Sequence, residues 1–179
     1  MISVCIKKIF TERLCEKIIS FHSDWAEDNG YIDVKKNDPN IRDCKIYKPL
    51  PIENTNTSWI QNEIIKNIFI VNNDIYNFNL SEDFQFHLLR YDLGGHYKTH
   101  IDIGNQGISS TRKISFTLLL NDSFEGGNLN FIGHEELNSD LNIGDIALFP
   151  SYLPHKIEPI TSGIRWAFVG WALGEKHFV

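Results

Sequence analysis

Residues 84–102 read FQFHLLRYDLGGHYKTHID: an aromatic and branched run, a Gly-Gly break, and a closing His-x-Asp pair. The opening run, FQFHLLRY, has the texture of a strand. The same texture recurs downstream in RKISFTLLL, NLNFIG, DIALF and IRWAFVGWAL, short β-branched or aromatic runs separated by turn signals. No helical pattern of useful length interrupts them, which argues against βαβ organisation. The C-terminal half therefore predicts a sandwich or barrel of many short strands. The same stretch holds Tyr91, His96, Tyr97, His100 and Asp102 within a dozen residues, and three of these are possible metal ligands. A His-x-Asp pair is weak evidence taken alone.

Upstream the texture is different. Residues 11–28 predict an amphipathic helix, with Leu14, Ile18, Phe21 and Trp25 at three- and four-residue steps, Thr11 as N-cap and DNG at 28–30 as its stop. His22 lies beside that apolar stripe and reads as structural. Residues 31–56 carry Pro39, Pro49, Pro51 and many Asn and Asp, so they read as loop with one extended piece near CKIYKPL. A second helix is predicted over 57–71, where Trp59, Ile60, Ile64, Ile68 and Val71 share a face. At 179 residues, with no internal repeat or linker, the expectation is one domain: 1–80 as helical support and 84–175 as the β core.

Charge and composition exclude several classes. A net charge of −6 and a pI near 5.6 argue against unaided binding of DNA or RNA. No apolar run approaches the roughly 20 residues of a membrane span, and MISVCIKKIF lacks the features of a secretory signal. Cys5, Cys15 and Cys44, odd in number and irregularly spaced, do not suggest a disulfide framework. A reducing cytoplasm is the expected compartment, with monomer and homodimer both open.

The segment FPSYLPHKIEPITSGIRWAFVGW, 149–171, adds His155 and, ten residues on, Arg165. Alternation places Arg165, Ala167, Val169 and Trp171 on one strand face and Trp166, Phe168 and Ala172 on the other. An arginine inside an apolar strand is costly unless an anion pairs with it. That anion is either a partner Asp or Glu, or a carboxylate ligand held by the guanidinium fork. Two histidines and one carboxylate match the facial triad that leaves iron positions open in non-haem Fe(II) oxygenases. The ligand types alone would also suit a zinc hydrolase, but Arg165 would then have no job.

On these residues the chain resembles the Fe(II)/2-oxoglutarate-dependent dioxygenases, in their prolyl 4-hydroxylase-like branch. RYDLGGHYKTHID resembles the branch's Tyr-x-x-Gly-x-x-Tyr-x-x-His-x-Asp; RKISFTLLLNDSFEGGNLNF resembles its Arg-led strand, Leu-Asn-Asp turn and Gly-Gly. GDIALFPSYLPHKIEPITSGIRWAFVGW resembles the closing Gly-Asp, the distal His and the Gly-x-Arg/Lys. The match covers roughly 84–172, and residues 10–80 fit more loosely. The resemblance implies an α+β, mainly β chain: a double-stranded β-helix (jelly-roll, cupin-like) core with N-terminal supporting helices. It implies Fe(II) on His100, Asp102 and His155, and 2-oxoglutarate with its C5 carboxylate on Arg165, where many collagen-type relatives have Lys. Tyr91 would add a phenolic hydrogen bond, Ser115 would line the same pocket, and Thr117, Tyr97 and Trp171 are further pocket candidates.

The implied reaction uses O2 to hydroxylate an unactivated C–H bond, giving succinate and CO2, with ascorbate as reductant in vitro. Asp102 sets the chain apart from related halogenases, which have a small residue there. His87, His96, His134 and His177 read as non-ligands. Substrate contacts are expected from the 31–56 loop, including Arg42, and from the Gly-rich 103–111 segment, since binding residues usually sit on such loops. The branch favours a prolyl residue in a protein or peptide. A free amino acid or other small molecule is the alternative, and a catalytically silent metal- or oxoglutarate-binding sensor is a third reading.

Overall fold

The computed structural model describes residues 3–28, 31–32, 35–36, 38–49, 51, 56–138 and 140–176. The N-terminal half contains β1 (Cys5–Lys8), α1 (Glu12–Ser20), β2 (Ala26–Asp28), β3 (Tyr31–Ile32), β4 (Lys35–Lys36), β5 (Arg42–Asp43), β6 (Lys45–Lys48) and α2 (Ser58–Val71). Strands then follow one another: β7 (Leu80–Tyr91), β8 (His96–His100), β9 (Arg112–Leu119), β10 (Phe124–Gly126) and β11 (Leu129–Phe131). The last four are β12 (Asp145–Pro150), β13 (His155–Ile157), β14 (Ile160–Gly163) and β15 (Arg165–Gly174). A seven-stranded antiparallel sheet runs β1-β12-β9-β15-β7-β6-β2, and a four-stranded sheet runs β11-β13-β8-β5, with β10-β14 and β3-β4 as separate pairs.

Alternation along the long strands builds two cores. Leu88, Ile114, Phe116, Leu118, Ile146, Leu148 and Phe168 turn to one side of the large sheet and pack with Ile18 of α1 and Ile60, Ile64 and Ile68 of α2. A fully buried Ile or Leu contributes roughly 1.5–3 kcal/mol. This packing, more than intrinsic propensity, holds a 14-residue helix in place. Leu89, Tyr91, Ala147 and Phe149 turn to the other side and pack with Leu129, Phe131 and Ile157 of the small sheet. Two facing antiparallel sheets with helices on the outer face make up the expected jelly-roll double-stranded β-helix and its helical support.

Three boundaries differ from expectation. The first helix ends at Ser20; Phe21–Ser23 forms a single 3-10 turn, and Ala26–Asp28 pairs with β6 as an edge strand. Tertiary packing overrides the helical period, because the tighter turn still buries Trp25 against Phe168 (ring centroids 6.0 Å) with Phe21 stacked on it at 5.9 Å. Asn29 and Gly30 of the expected stop lie outside the described residues. The segment read as loop over 31–56 contributes β3 to β6, of which β5 and β6 join the two main sheets. Beyond α2 a π turn over Asn72–Tyr76 closes on Asn77 in the left-handed region (φ 55). Asn72 clamps it by accepting from the Phe78 N–H and donating to the Phe78 carbonyl, both at 2.9 Å, and β7 starts at Leu80.

Gly170 shows how closely the layers meet: a Cβ there would lie 1.9 Å from the Gln85 carbonyl oxygen and 2.8 Å from the Phe116 ring. Gly170→Ala should therefore destabilise the protein by about 1–3 kcal/mol, the usual range for overpacking. A urea midpoint equal to wild type would show that β7 and β15 do not approach this closely.

Candidate active site

The register of the small sheet assembles three ligand atoms. His155, the first residue of β13, pairs with His100, the last of β8. Asp102 follows two residues later, anchored by its N–H donating to the Ser151 carbonyl at 2.9 Å. Each imidazole Nδ1–H donates to a backbone carbonyl, His100 to Lys98 and His155 to Leu153, both at 2.9 Å. These carbonyls fix the tautomer that leaves each Nε2 lone pair free for a metal. His100 Nε2 lies 3.5 Å from Asp102 Oδ1, and His155 Nε2 lies 3.5 Å from Oδ2. These gaps are longer than hydrogen bonds. The three ligand atoms thus cluster within 4.8 Å without satisfying one another, and two imidazoles with one carboxylate fit Fe(II).

Packing and polar contacts hold the set rigid. The Ser115 hydroxyl lies 2.7 Å from Asp102 Oδ2 and 2.9 Å from the Ser151 hydroxyl, and Arg112 Nη1 donates to the Asp102 carbonyl at 3.2 Å. Tyr97 stacks on His100 at 3.5 Å between centroids, and Phe149 meets His155 edge-on at 4.8 Å. Burial alone would raise the Asp102 pKa, but His155, His100 and the Ser115 hydroxyl outweigh it and hold the carboxyl well below the usual range. Burial pushes the His155 imidazole down to about 4, so at neutral pH it is an uncharged ligand.

Arg165 sits opposite Tyr91 in the β15–β7 pairing, and both are 2% exposed. Burial lowers the guanidinium's pKa from its ordinary value. Arginine starts so high that it stays charged. Its Nε has no hydrogen-bond partner, and among the described residues no carboxylate oxygen lies within 4.0 Å of the group. A buried, unpaired guanidinium is a receptor for an anion. Gly127, at φ +65, makes room for its stem: a Cβ there would fall 2.9 Å from Arg165 Cδ and 2.5 Å from Ile160.

Arg165, Tyr91, Tyr97, Thr117, Trp171 and Arg42 line one cavity together with the three ligand residues. Ser115 is not on its wall; the same-facing hydroxyl expected there is turned to Asp102 instead. Thr117 lines the cavity with its hydroxyl unpartnered, and Trp171 carries Arg112 over its ring at 3.6 Å. Arg42 is not on a mouth loop: it lies in β5 opposite Tyr97 and is 8% exposed. No described residue of 103–111 lines the cavity. The sequence reading missed the apolar wall of Leu89, Leu129, Phe149, Ile157 and Val169, and Ser151 behind Asp102. For Val169, in register with Thr117, alternation was the available signal. His87, edge-on to Trp171, His96, bonded to the Gly94 carbonyl, and His134, beside Glu136, stand outside the ligand cluster. His22 packs on Trp166 and Tyr47, and His177 lies outside the described residues.

The pKa directions predict acid sensitivity of the metal-free protein. Above about pH 6.5 His155 is neutral in both the folded and the unfolded chain. Between 6.5 and about 4 only the unfolded chain gains this proton, so stability falls, by on the order of 3 kcal/mol. Asp102 adds a further loss below about pH 4, where the unfolded carboxylate protonates first. Urea midpoints taken in chelator should drop from pH 7.5 to pH 5, with a shallower drop in His155→Gln. Equal slopes in the two proteins would contradict a neutral buried His155.

Comparisons with known proteins agree with this geometry. The model of the 2OG-Fe(II) oxygenase superfamily matches residues 86–173, a span that contains all three ligand residues and Arg165. A PKHD-type hydroxylase of Gloeothece citriformis is 38% identical over 86 residues, which is 46% of this chain and 39% of the relative. The chain spans about two fifths of the length of the curated relatives it matches. A Pseudomonas putida prolyl-4-hydroxylase superposes with a TM-score of 0.76 at 18% identity, over 98% of this chain and 94% of its own. A Trichoplax adhaerens prolyl hydroxylase, in complex with a hypoxia inducible factor peptide, gives 0.79 at 20% identity over 97% and 84%. At these identities the structures show a shared fold, and the family match spans the residues that form the cluster. Through residues 86–173, the chain belongs to the 2OG-Fe(II) oxygenase superfamily.

Proposed function

We propose that this chain is a non-haem iron, 2-oxoglutarate-dependent dioxygenase that hydroxylates an unactivated C–H bond, with a prolyl residue in a protein or peptide as its substrate. The observation that carries the reading is Arg165, a buried unpartnered guanidinium on the same cavity as three converged ligand atoms. A zinc hydrolase would have no use for it. The prolyl assignment is supported by the hydroxylase names of the relatives and of the neighbours in structure.

His100, Asp102 and His155 would hold the iron, which with O2 couples oxidative decarboxylation of oxoglutarate to hydroxylation, giving succinate and CO2. Arg165 would take the distal carboxylate of the cosubstrate by a charge-assisted contact, and this sets which end faces the ligand triad. The Tyr91 phenol, its pKa raised foremost by burial, stays protonated and can donate a hydrogen bond to the same carboxylate. Ser115 keeps Asp102 ionised and oriented. Tyr97 limits the tilt of the His100 ring by stacking on it. Leu129, Phe149, Ile157 and Val169 keep water from the reacting groups. Thr117 and Trp171 would shape the space left for the substrate.

We further infer that the chain works as one domain, which its two continuous cores support. A reducing cytoplasm would suit its three free thiols. Among the described residues no helix is long and apolar enough to cross a membrane.

Protein supplied with Fe(II), ascorbate, O2 and 2-oxoglutarate should release succinate slowly even without substrate. Asp102→Ala and His155→Ala should each abolish release, and His134→Ala should leave it intact. Arg165→Ala should raise KM for oxoglutarate at least tenfold, as expected for a charge-assisted contact worth about 1.5–3 kcal/mol. Oxoglutarate bound but never turned over, with any peptide or amino acid offered, would mark a silent sensor. A product heavier by one oxygen atom in mass spectra of candidate prolyl peptides would establish the substrate class.

A further inference from the structure

Two guanidinium groups face one cavity, and the oxygenase reading employs one of them. Arg42 is 8% exposed, its guanidinium carbon lies 4.8 Å from the Tyr97 ring centroid, and its Nε is buried without a partner. Among the described residues no carboxylate oxygen lies within 4.0 Å of it. The Cys44 side chain hydrogen-bonds the guanidinium and the Tyr91 phenol lies near it, but neither supplies a charge. Burial raises the Cys44 thiol foremost, outweighing the pull of Arg42, and burial raises the Tyr91 phenol as well. A desolvated unpaired guanidinium costs several kcal/mol. A desolvated cation–π contact returns about 2 kcal/mol or somewhat more, which offsets only part of that cost. The Asp102 carboxylate is committed to His100, His155 and Ser115.

Charge points the same way once the site is loaded. Iron and two arginines, set against Asp102 and a doubly charged oxoglutarate, leave one positive charge in the cavity. Ring contacts run from Arg42 through Tyr97 to His100, so the guanidinium stands within a small substrate's length of the ligand triad.

We propose that Arg42 is a specificity-determining residue that binds a carboxylate carried by the substrate, so that the chain acts on prolyl compounds bearing a free acid group and discriminates against their amides. This rests on the iron and oxoglutarate chemistry proposed above, and a response from the free amino acid alone would replace the peptide substrate proposed there. The carboxylate comes either from a free amino acid or from the C-terminus of a peptide, and the chemistry recognised is the same.

The test uses protein loaded anaerobically with Fe(II) and saturating 2-oxoglutarate, after binding of oxoglutarate itself has been confirmed by calorimetry. Two pairs are then titrated: L-proline with L-prolinamide, and a proline-terminated tripeptide as its free acid and as its amide. In at least one pair the acid should bind at least tenfold tighter than the amide, and the pair that responds identifies the source of the carboxylate. Arg42→Met should remove that preference while the protein still binds oxoglutarate, and Arg42→Lys should restore part of it. No acid preference in wild type, including no binding by any of the four, overturns the proposal whether or not the variants fold. A preference that survives in Arg42→Met overturns it too, and would leave Arg42 as a prop for Tyr97. Failure of oxoglutarate to bind at the first step would instead contradict the oxygenase reading.

Discussion

Strands turn successive side chains to opposite faces, and β7, β9, β12 and β15 use both faces at once. Leu88, Phe116, Leu148 and Phe168 meet the helices, while Leu89, Thr117, Phe149 and Val169, one residue on, line or wall the cavity. A one-residue slip in any of these strands would exchange the two sets and bury the wrong one. The helices therefore do more than cover a sheet: by demanding an apolar outer face they fix the register that presents Arg165, Thr117 and Tyr91 inward. The long β15–β7 and β15–β9 ladders carry this register across the width of the site.

Inside that frame the chain tolerates an unusual set of buried polar groups. His155 is held neutral, Asp102 is held charged, and two guanidiniums lie in the same cavity with no carboxylate oxygen of a described residue within 4.0 Å. Folding alone gives no return for such an arrangement, because a hydrophobic replacement of similar volume would often be at least as stable. It makes sense as a site built to be completed by a cation between His100, Asp102 and His155 and by anions at the arginines. Ser115 and Ser151 belong to the same design, since they restrain the carboxylate before any metal binds.

Much of this was legible in the residues, and the reason differs from part to part. The ligand triad could be read because its chemistry restricts residue type, and His-x-Asp, a distant His and an in-strand Arg recur in order. The strands of the C-terminal half were legible because alternation and turn residues are local signals. Arg42 was harder: two-residue β5 has too little pattern to read, and its place opposite Tyr97 is set by tertiary pairing with β8. Residues 21–28 misled for the opposite reason, since Phe21 and Trp25 keep a helical spacing while the backbone leaves the helix. The Ser115 hydroxyl faces the side that alternation assigns, but its partner is Asp102, a distinction of a few ångströms that no strand pattern encodes.

The central claim is that one cavity takes a metal at His100, Asp102 and His155 and a dicarboxylate at Arg165, each dependent on the other's placement. Anaerobic calorimetry, with Fe(II) titrated first and 2-oxoglutarate second, tests it most directly. One iron and one oxoglutarate per chain are predicted, with oxoglutarate binding strongly weakened when iron is withheld or Asp102 is replaced by Ala. Oxoglutarate binding equally well without iron, or not at all with iron in place, would contradict the account.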